Sequence, residues 1–200
     1  MTHATPWQQM LARGNEQVQQ GVIEQYRRAR HVRSHVPDLV WGTLQTEAYA
    51  TDVLEKVAAF LGTPDDIAAG VAKRMERQRF LHDSDRRFDV LLGEQALYTD
   101  FGGPQVMRSQ MERLLTDLDL PTLHLGVIPA AARLHTLPAT GFTIYGEESA
   151  HVELVSSGVD FTDPAEIALH AKAFDLLSRS AVYGDQARAL IAKALDFWSR

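Results

Sequence analysis

The spacing of apolar positions divides the chain into helical blocks, strand-length runs, and helices again. Met10, Leu11, Val18, Val22 and Tyr26 recur near helical spacing and predict a helix from about Pro6 to Ala29. Gly14 and Gly21 weaken it by about 1 kcal/mol each relative to alanine. Pro37 restricts Val36 to extended backbone, so the residues from Val32 to Val36 read as a short extended segment. A second helix spans about Thr46 to Leu61. Tyr49, Val53, Leu54, Val57, Ala58 and Leu61 form its apolar face, and Gly62 stands where a left-handed C-cap belongs. Thr63 then predicts an N-cap, Pro64 the first helical position, and Asp65 and Asp66 an acidic first turn. That helix runs to about Leu81 with Ile67, Val71, Met75 and Gln78 on one side.

The pattern changes after residue 86. Phe88 to Leu92 is an apolar run of strand length. Gly102-Gly103-Pro104 makes a turn and starts a helix to Leu118, cored by Val106, Met107, Gln110, Met111 and Leu114. Thr122 to Ile128 alternates and stops at Pro129. Phe142 to Tyr145 and His151 to Val155 are two further strands, with His151 and Glu153 opposite Val152 and Leu154. Asp163-Pro164-Ala165-Glu166 has capping-box spacing before a helix carrying Ile167, Ala171, Phe174 and Leu177. Ala187 to Trp198 is the last helix. N-terminal helices, a small mainly antiparallel sheet with an inserted helix, and two C-terminal helices predict an α+β fold. One domain over 1–200 is expected, with 1–6 disordered, a helical lobe over 7–86, and sheet plus helices over 87–200.

Composition narrows the classes. Two hundred residues, 45% hydrophobic and 23% charged, exclude a disordered chain and allow one core. The absence of cysteine removes thiolate zinc sites, cysteine nucleophiles and iron–sulfur clusters. No apolar run approaches the roughly 18 residues of a membrane span, and the N-terminus lacks the regions of a signal peptide. A cytoplasmic protein without membrane contact is expected. A net charge of −6 lacks the basic footprint of direct nucleic-acid binding. Arg27, Arg28, Arg30 and Arg33 cluster, as do Arg74, Arg77 and Arg79. Without interleaved aromatics both groups read as salt-bridged helix faces.

Catalytic motifs with fixed spacing are missing: no phosphate-binding loop, dinucleotide fingerprint, HExxH or GxSxG. Neither a cofactor nor a metal is therefore expected. Gly102-Gly103-Pro104 opens a helix and reads as a tight turn, with an anion site as the sharper alternative. His170-Ala171-Lys172 matches the opening of the phospholipase D-like HxK motif, but Leu177 stands where that motif needs Asp, so both residues read as solvated. His151 and Glu153 share a strand face, and His124 on a neighbouring strand would complete either an acid–base cluster or an ordinary solvated surface. The loop from Ala131 to Phe142, with His135, Thr136, Pro138, Thr140 and Gly141, either covers a pocket or merely connects strands. Trp41 is a pocket wall or core.

Four blocks carry a resemblance. VPDLVWGTLQTEAYATDVL resembles the stretch after the DNA-binding module in many actinobacterial regulators, patterned VPGLLQT and then YA. RMERQRFL resembles that family's arginine-glutamine helix, and LLGEQALYTDFGGPQVMRSQMERLL its next helical segment. LPTLHLGVIPAAA, GFTIYGE and AHVELV resemble its β part. The similarity runs from about Gln17 to Leu195. The family is the uncharacterised domain found C-terminal to a Cro/repressor-type (XRE) helix-turn-helix. The resemblance implies a sensor, dimerisation or partner-binding role and transfers no catalytic residues. No helix-turn-helix is matched here, so a free-standing form of the domain is expected. Trp41-Gly42 replaces the usual proline-glycine, Thr43 replaces a leucine, and the 131–142 loop lacks a common glycine.

Two readings follow. In the first, the chain is a ligand- or partner-binding domain related to the sensor half of a regulator, with Trp41, Gln45, Thr46 and Tyr49 lining the site. Its partner is a small molecule or a small protein, and a homodimer or a heterodimer with full-length relatives is among the arrangements. In the second, it is a cofactor-free enzyme of specialised metabolism, with His124, His135, His151, Glu94 and Glu153 as acid–base groups.

Overall fold

Seven strands form one sheet with helices packed on both faces. The computed structural model describes residues 2–63, 66–137 and 140–200; the expected roles of Pro64, Asp65 and Pro138 lie outside them. The chain begins with β1 (Thr2–Pro6), a helical turn α1 (Trp7–Met10) and, beyond a 3-10 turn, α2 (Asn15–Arg28). Strand β2 (His31–Val36) leads to α3 (Glu47–Leu61) and α4 (Ile67–Glu76), which tightens into a 3-10 helix over Arg77–His82. Then come β3 (Arg87–Gly93), α5 (Pro104–Asp117), β4 (Leu123–Ile128), β5 (Phe142–Tyr145), β6 (Ser149–Glu153) and β7 (Ser157–Phe161). Helices α6 (Pro164–Ser178) and α7 (Gly184–Trp198) close the chain. None of the described helices is long and apolar enough to cross a membrane.

The strand order is β1-β7-β6-β5-β2-β3-β4. Strands β2, β3 and β4 are parallel, and every other pairing is antiparallel. The fold is thus α+β with a mainly antiparallel sheet, as the pattern of elements predicts. Two cores flank it. On one face Val32, Phe88, Val90, Leu92 and Leu125 pack under Ile23, Tyr49, Met111 and Ile191, contributed by α2, α3, α5 and α7. On the other, Leu91, Ile128, Phe142 and Ile144 pack under Ile167, Phe174 and Leu177 of α6. Strand β3 serves both, which is why its apolar run is nearly continuous.

Several local expectations hold. Gly62 adopts φ 64° and donates to Ala58 as the left-handed end of α3. Thr46 caps that helix, its hydroxyl accepting from the Tyr49 amide. Pro104 sits in the first turn of α5, with Gly103 at φ 84° before it.

Other expectations change. The helix expected from Pro6 to Ala29 breaks at Gly14, which has φ 89°. The amide of Glu16 and the side chain of Asn15 donate to Asp66, so a residue far along the chain caps α2. Burial alone would raise the Asp66 carboxyl; those hydrogen bonds outweigh it and hold it below the usual carboxylate range. Thr63 does not cap α4: its amide donates to Ala58, its hydroxyl is buried without a partner among the described residues, and Asp66 precedes the helix. Residues 2–6, expected to be disordered, pair with β7, and the Thr2 hydroxyl donates to the Glu166 carboxylate at 2.6 Å. That contact turns Glu166 away from the expected capping box, leaving Asp163 alone to accept from Ala165. Nor do a helical lobe and a sheet half separate at residue 86, because β2 joins β3 and β5 in mid-sheet. Strand β7 escaped the period-two reading.

Leu92 is fully buried in the larger core. Leu92→Ala is expected to cost about 2–5 kcal/mol. Urea denaturation would show it as a lower midpoint at unchanged slope.

Candidate functional site

The segment between β2 and α3 folds back on itself around Tyr49. The Val40 amide donates to the Tyr49 hydroxyl at 3.1 Å, and Gln45 Nε2 donates to the Val40 carbonyl at 2.7 Å. Gln110 of α5 holds the other end, donating to the Leu44 carbonyl and accepting from the Thr46 amide. Trp41 is buried against Tyr26 and Phe88, with ring centroids 6.2 and 5.8 Å away. The Thr43 hydroxyl lies 2.7 Å from that of Tyr26. The two positions that depart from the family pattern, Trp41 and Thr43, therefore meet the same ring. Burial raises the Tyr26 and Tyr49 phenols well above their ordinary value.

Gln45 Oε1 accepts from Arg74 Nη1 at 2.6 Å, which joins this segment to α4. Arg74 also donates from Nε to Gln19 Oε1 at 3.3 Å, and Arg77 donates from Nη1 to the same oxygen at 2.8 Å. Both arginines are buried, at 9% and 6% exposure. Among the described residues, neither has a carboxylate within ion-pair distance, and Arg77 Nε has no partner. A Cβ at Gly42 would collide with the Arg77 guanidinium, so any other residue there would displace that group from its present position. Burial, followed by the charge of Arg77, lowers the Arg74 guanidinium to about 9.

The expectation of a salt-bridged helix face at Arg74, Arg77 and Arg79 thus holds for Arg79 alone, which pairs with Glu76 at 3.2 Å. Arg74 and Arg77 point inward because they extend the buried stripe of Gly70 and Val71 at spacings of three and four residues. That spacing was present in the sequence; the charge of the residues masked it. In the other cluster Arg27 pairs with Glu24 at 2.5 Å, as expected, and Arg30 reaches Asp85 at 4.0 Å.

The same face of the sheet carries polar residues beyond the aromatic core. Register aligns Ser34 with Thr143 and Thr143 with His151, and the two hydroxyls lie 2.8 Å apart. His151 Nδ1 lies 2.7 Å from the Asp160 carboxylate on β7. A Cβ at Gly158 would press on the imidazole. The charge of Glu153, on the same strand face, acts on Arg74 and on the buried Tyr145. For His151, burial acts downward, but the Asp160 hydrogen bond and the charges of Asp160 and Glu153 outweigh it, and the net shift is upward.

The remaining acid–base candidates lie elsewhere. His124 is on the opposite face of the sheet. Its Nδ1 is 3.4 Å from Asp89, and its ring stacks on Tyr183 at 4.3 Å and 5°. Asp89 also meets His31 at 2.6 Å and Arg87 at 3.0 Å. Burial raises the Asp89 carboxyl, but these hydrogen bonds hold it below the usual range. A shallow depression of about 290 Å³ lies beside this group, bordered by Arg87, Pro121 and His124. Glu94 accepts from the Ala130 amide at 2.7 Å and so anchors a loop. His135 is exposed on the 131–137 segment, with Leu134 and Leu137 also open to solvent. His124 and His151 therefore do not share a cluster. No group of three or more His, Asp or Glu among the described residues gathers as a metal site. His170, expected on the solvated side of its helix, instead packs against Phe142 and Phe161. The sequence reading missed Asp89, Gln19 and His35, whose Nδ1 is buried without a partner among the described residues.

A family described as a domain of unknown function (DUF5753) matches residues 20–193. No curated protein matches the chain significantly. Among solved structures, the chain is similar to TrmBL2, an archaeal chromatin protein described as showing a novel mode of DNA binding. Identity is 12% and the TM-score 0.42, over 92% of this chain and 55% of that one, so the chain spans about half of TrmBL2. It is also similar to NucT from Helicobacter pylori, with 8% identity and a TM-score of 0.48, over 92% of this chain and 98% of that one.

The His151–Asp160 pair has a pH signature. A raised folded-state value means the stabilisation is fully present below the unfolded value of 6.5 and lost as pH rises through the folded one. The pair is expected to contribute roughly 0.5–1 kcal/mol at acidic pH. Asp160→Asn takes away the two largest upward causes and leaves burial dominant, so the dependence is expected to be lost or inverted, as read from urea midpoints on either side of neutrality.

Proposed function

The chain belongs to the DUF5753 family, and from that premise we propose that it is a ligand- or partner-binding domain whose site is built on Arg74 and Arg77. We further take it to be related to the sensor half of actinobacterial regulators with a Cro/repressor-type helix-turn-helix, and to act in the cytoplasm on a small molecule or small protein. The supporting observation is the 2.6 Å bond between Arg74 and Gln45. It joins two of the blocks that carry the family resemblance, VWGTLQTEAYA and RMERQRFL, and both supply buried polar groups there. Apolar residues of similar volume would hold the same helices together at least as well. A polar network kept at that cost supports a binding role. The acid–base candidates fall on two sheet faces, the 3-10 turn after β3 and an exposed loop, which favours binding over the enzymatic alternative.

Thermal-shift screening against metabolites and candidate partner proteins tests this, run in parallel on the wild type and Arg77→Lys. A true ligand is expected to raise the wild-type Tm by several degrees and to bind Arg77→Lys about tenfold more weakly, since lysine cannot reproduce the guanidinium fork. A screen without a binder, or binders indifferent to Arg77→Lys, would overturn the reading.

A further inference from the structure

Arg74 and Arg77 leave the helix three positions apart, on one face, and both end under the helical layer. Two like charges at that spacing repel. Burying them is costly unless opposite charge meets them. Here the acceptors are two uncharged amide oxygens, Gln45 Oε1 and the shared Gln19 Oε1. Glu153, whose charge acts on Arg74, is exposed on β6 and forms no ion pair with it. Arg77 Nε, buried, donates to no described residue.

The two glutamines are held differently. Gln45 is fixed at both ends, its Nε2 on the Val40 carbonyl and its Oε1 on Arg74. Gln19 is held by its oxygen alone; among the described residues its Nε2 has no hydrogen-bond partner. Rotation of the Gln19 side chain would release two directed donors at once, Arg74 Nε and Arg77 Nη1, which now meet on one oxygen. Donors converging from two guanidinium forks match the oxygens of a carboxylate or phosphate.

We infer that the Arg74–Arg77 pair is a receptor for the oxyanion group of a small molecule, a carboxylate or a phosphate, which takes the place now held by the Gln19 amide oxygen. This rests on the binding reading above and names its ligand class. The anion supplies the counter-charge that the buried pair lacks, and Gln19 is the neutral placeholder.

The test compares melting of the wild type, Gln19→Glu and Arg77→Lys in sodium phosphate, sodium citrate and sodium chloride at matched ionic strength and neutral pH. Phosphate or citrate is expected to raise the wild-type Tm saturably, by about 5–10 °C at a hundred times Kd. The stronger of the two salts identifies the oxyanion. Gln19→Glu places a carboxylate in the same position, so its Tm in chloride should exceed the wild type's and the oxyanion shift should vanish. Arg77→Lys should weaken the response about tenfold. The general stabilisation by excluded salts does not saturate and acts on all three proteins alike. Equal responses from wild type and Gln19→Glu would overturn the inference. If either variant fails to fold, the Arg77 Nε–H resonance of the wild type decides: it moves on phosphate or citrate titration, or the inference falls. Should neutral compounds stabilise the wild type but not Arg77→Lys while both oxyanions fail, the oxyanion assignment is wrong and the binding reading stands.

Discussion

The Arg74 guanidinium is the tie on which the helical layer depends. One planar group reaches Gln19 on α2 and Gln45 before α3, segments 55 and 29 residues away in the chain. Gln78, one turn further on, donates to the Gln45 carbonyl and accepts from Arg113 of α5. Helices α2 and α5 and the segment before α3 therefore converge on a short stretch of α4 and its 3-10 extension. The rest of the layer follows from that convergence. With Gln45 held, Tyr49 can accept from Val40, and Trp41 can close over Tyr26 and Phe88. Glycine at position 42 leaves the guanidinium beside it in place.

A polar tie of this kind is an uneconomical way to stabilise a fold. Hydrogen bonds to buried charge contribute a few kcal/mol at best, and desolvation cancels much of that. The cores on the two sheet faces supply the larger driving force, through Phe88, Leu92 and Met111 on one side and Phe142, Phe174 and Leu177 on the other. The arginine cluster sits at the margin of the larger core, where apolar packing gives way to the hydroxyls of Ser34, Thr143 and Tyr26 and to the His151–Asp160 pair. Oriented donors beside a rigid sheet are what ligand recognition requires. Across the sheet, Asp89 gathers His31, Arg87 and His124 into a second polar group, with the β strands themselves as the wall between the two.

Much of the architecture was legible from short-range pattern. The apolar spacing of α3 and α5, the left-handed glycine after Leu61, the proline opening α5 and the alternation of β4 all depend on residues within a turn or two. The parts that escaped depend on distant partners. Strand β1 forms because β7 offers an edge and Glu166 holds Thr2. Helix α2 starts at Asn15 because Asp66 accepts its first amides. In the candidate site, Trp41, Gln45 and Tyr49 were identified from the resemblance. Arg74 and Arg77 were misassigned, because a charged residue on a helix is ordinarily solvated.

By itself, then, the sequence determined most of the elements between α2 and α7 and their order, and within each strand it recognised which side chains share a face, since backbone preference and period act over a few residues. Only the tertiary structure decided which faces meet. His124 and His151 each sit on a strand of the expected type, yet register and strand direction send them to opposite sides of the sheet. Arg74 became an interior group because Gln19 and Gln45 were brought to it from elsewhere in the chain. A charge can be buried only where the fold supplies its acceptors, and no local pattern records where those acceptors will be.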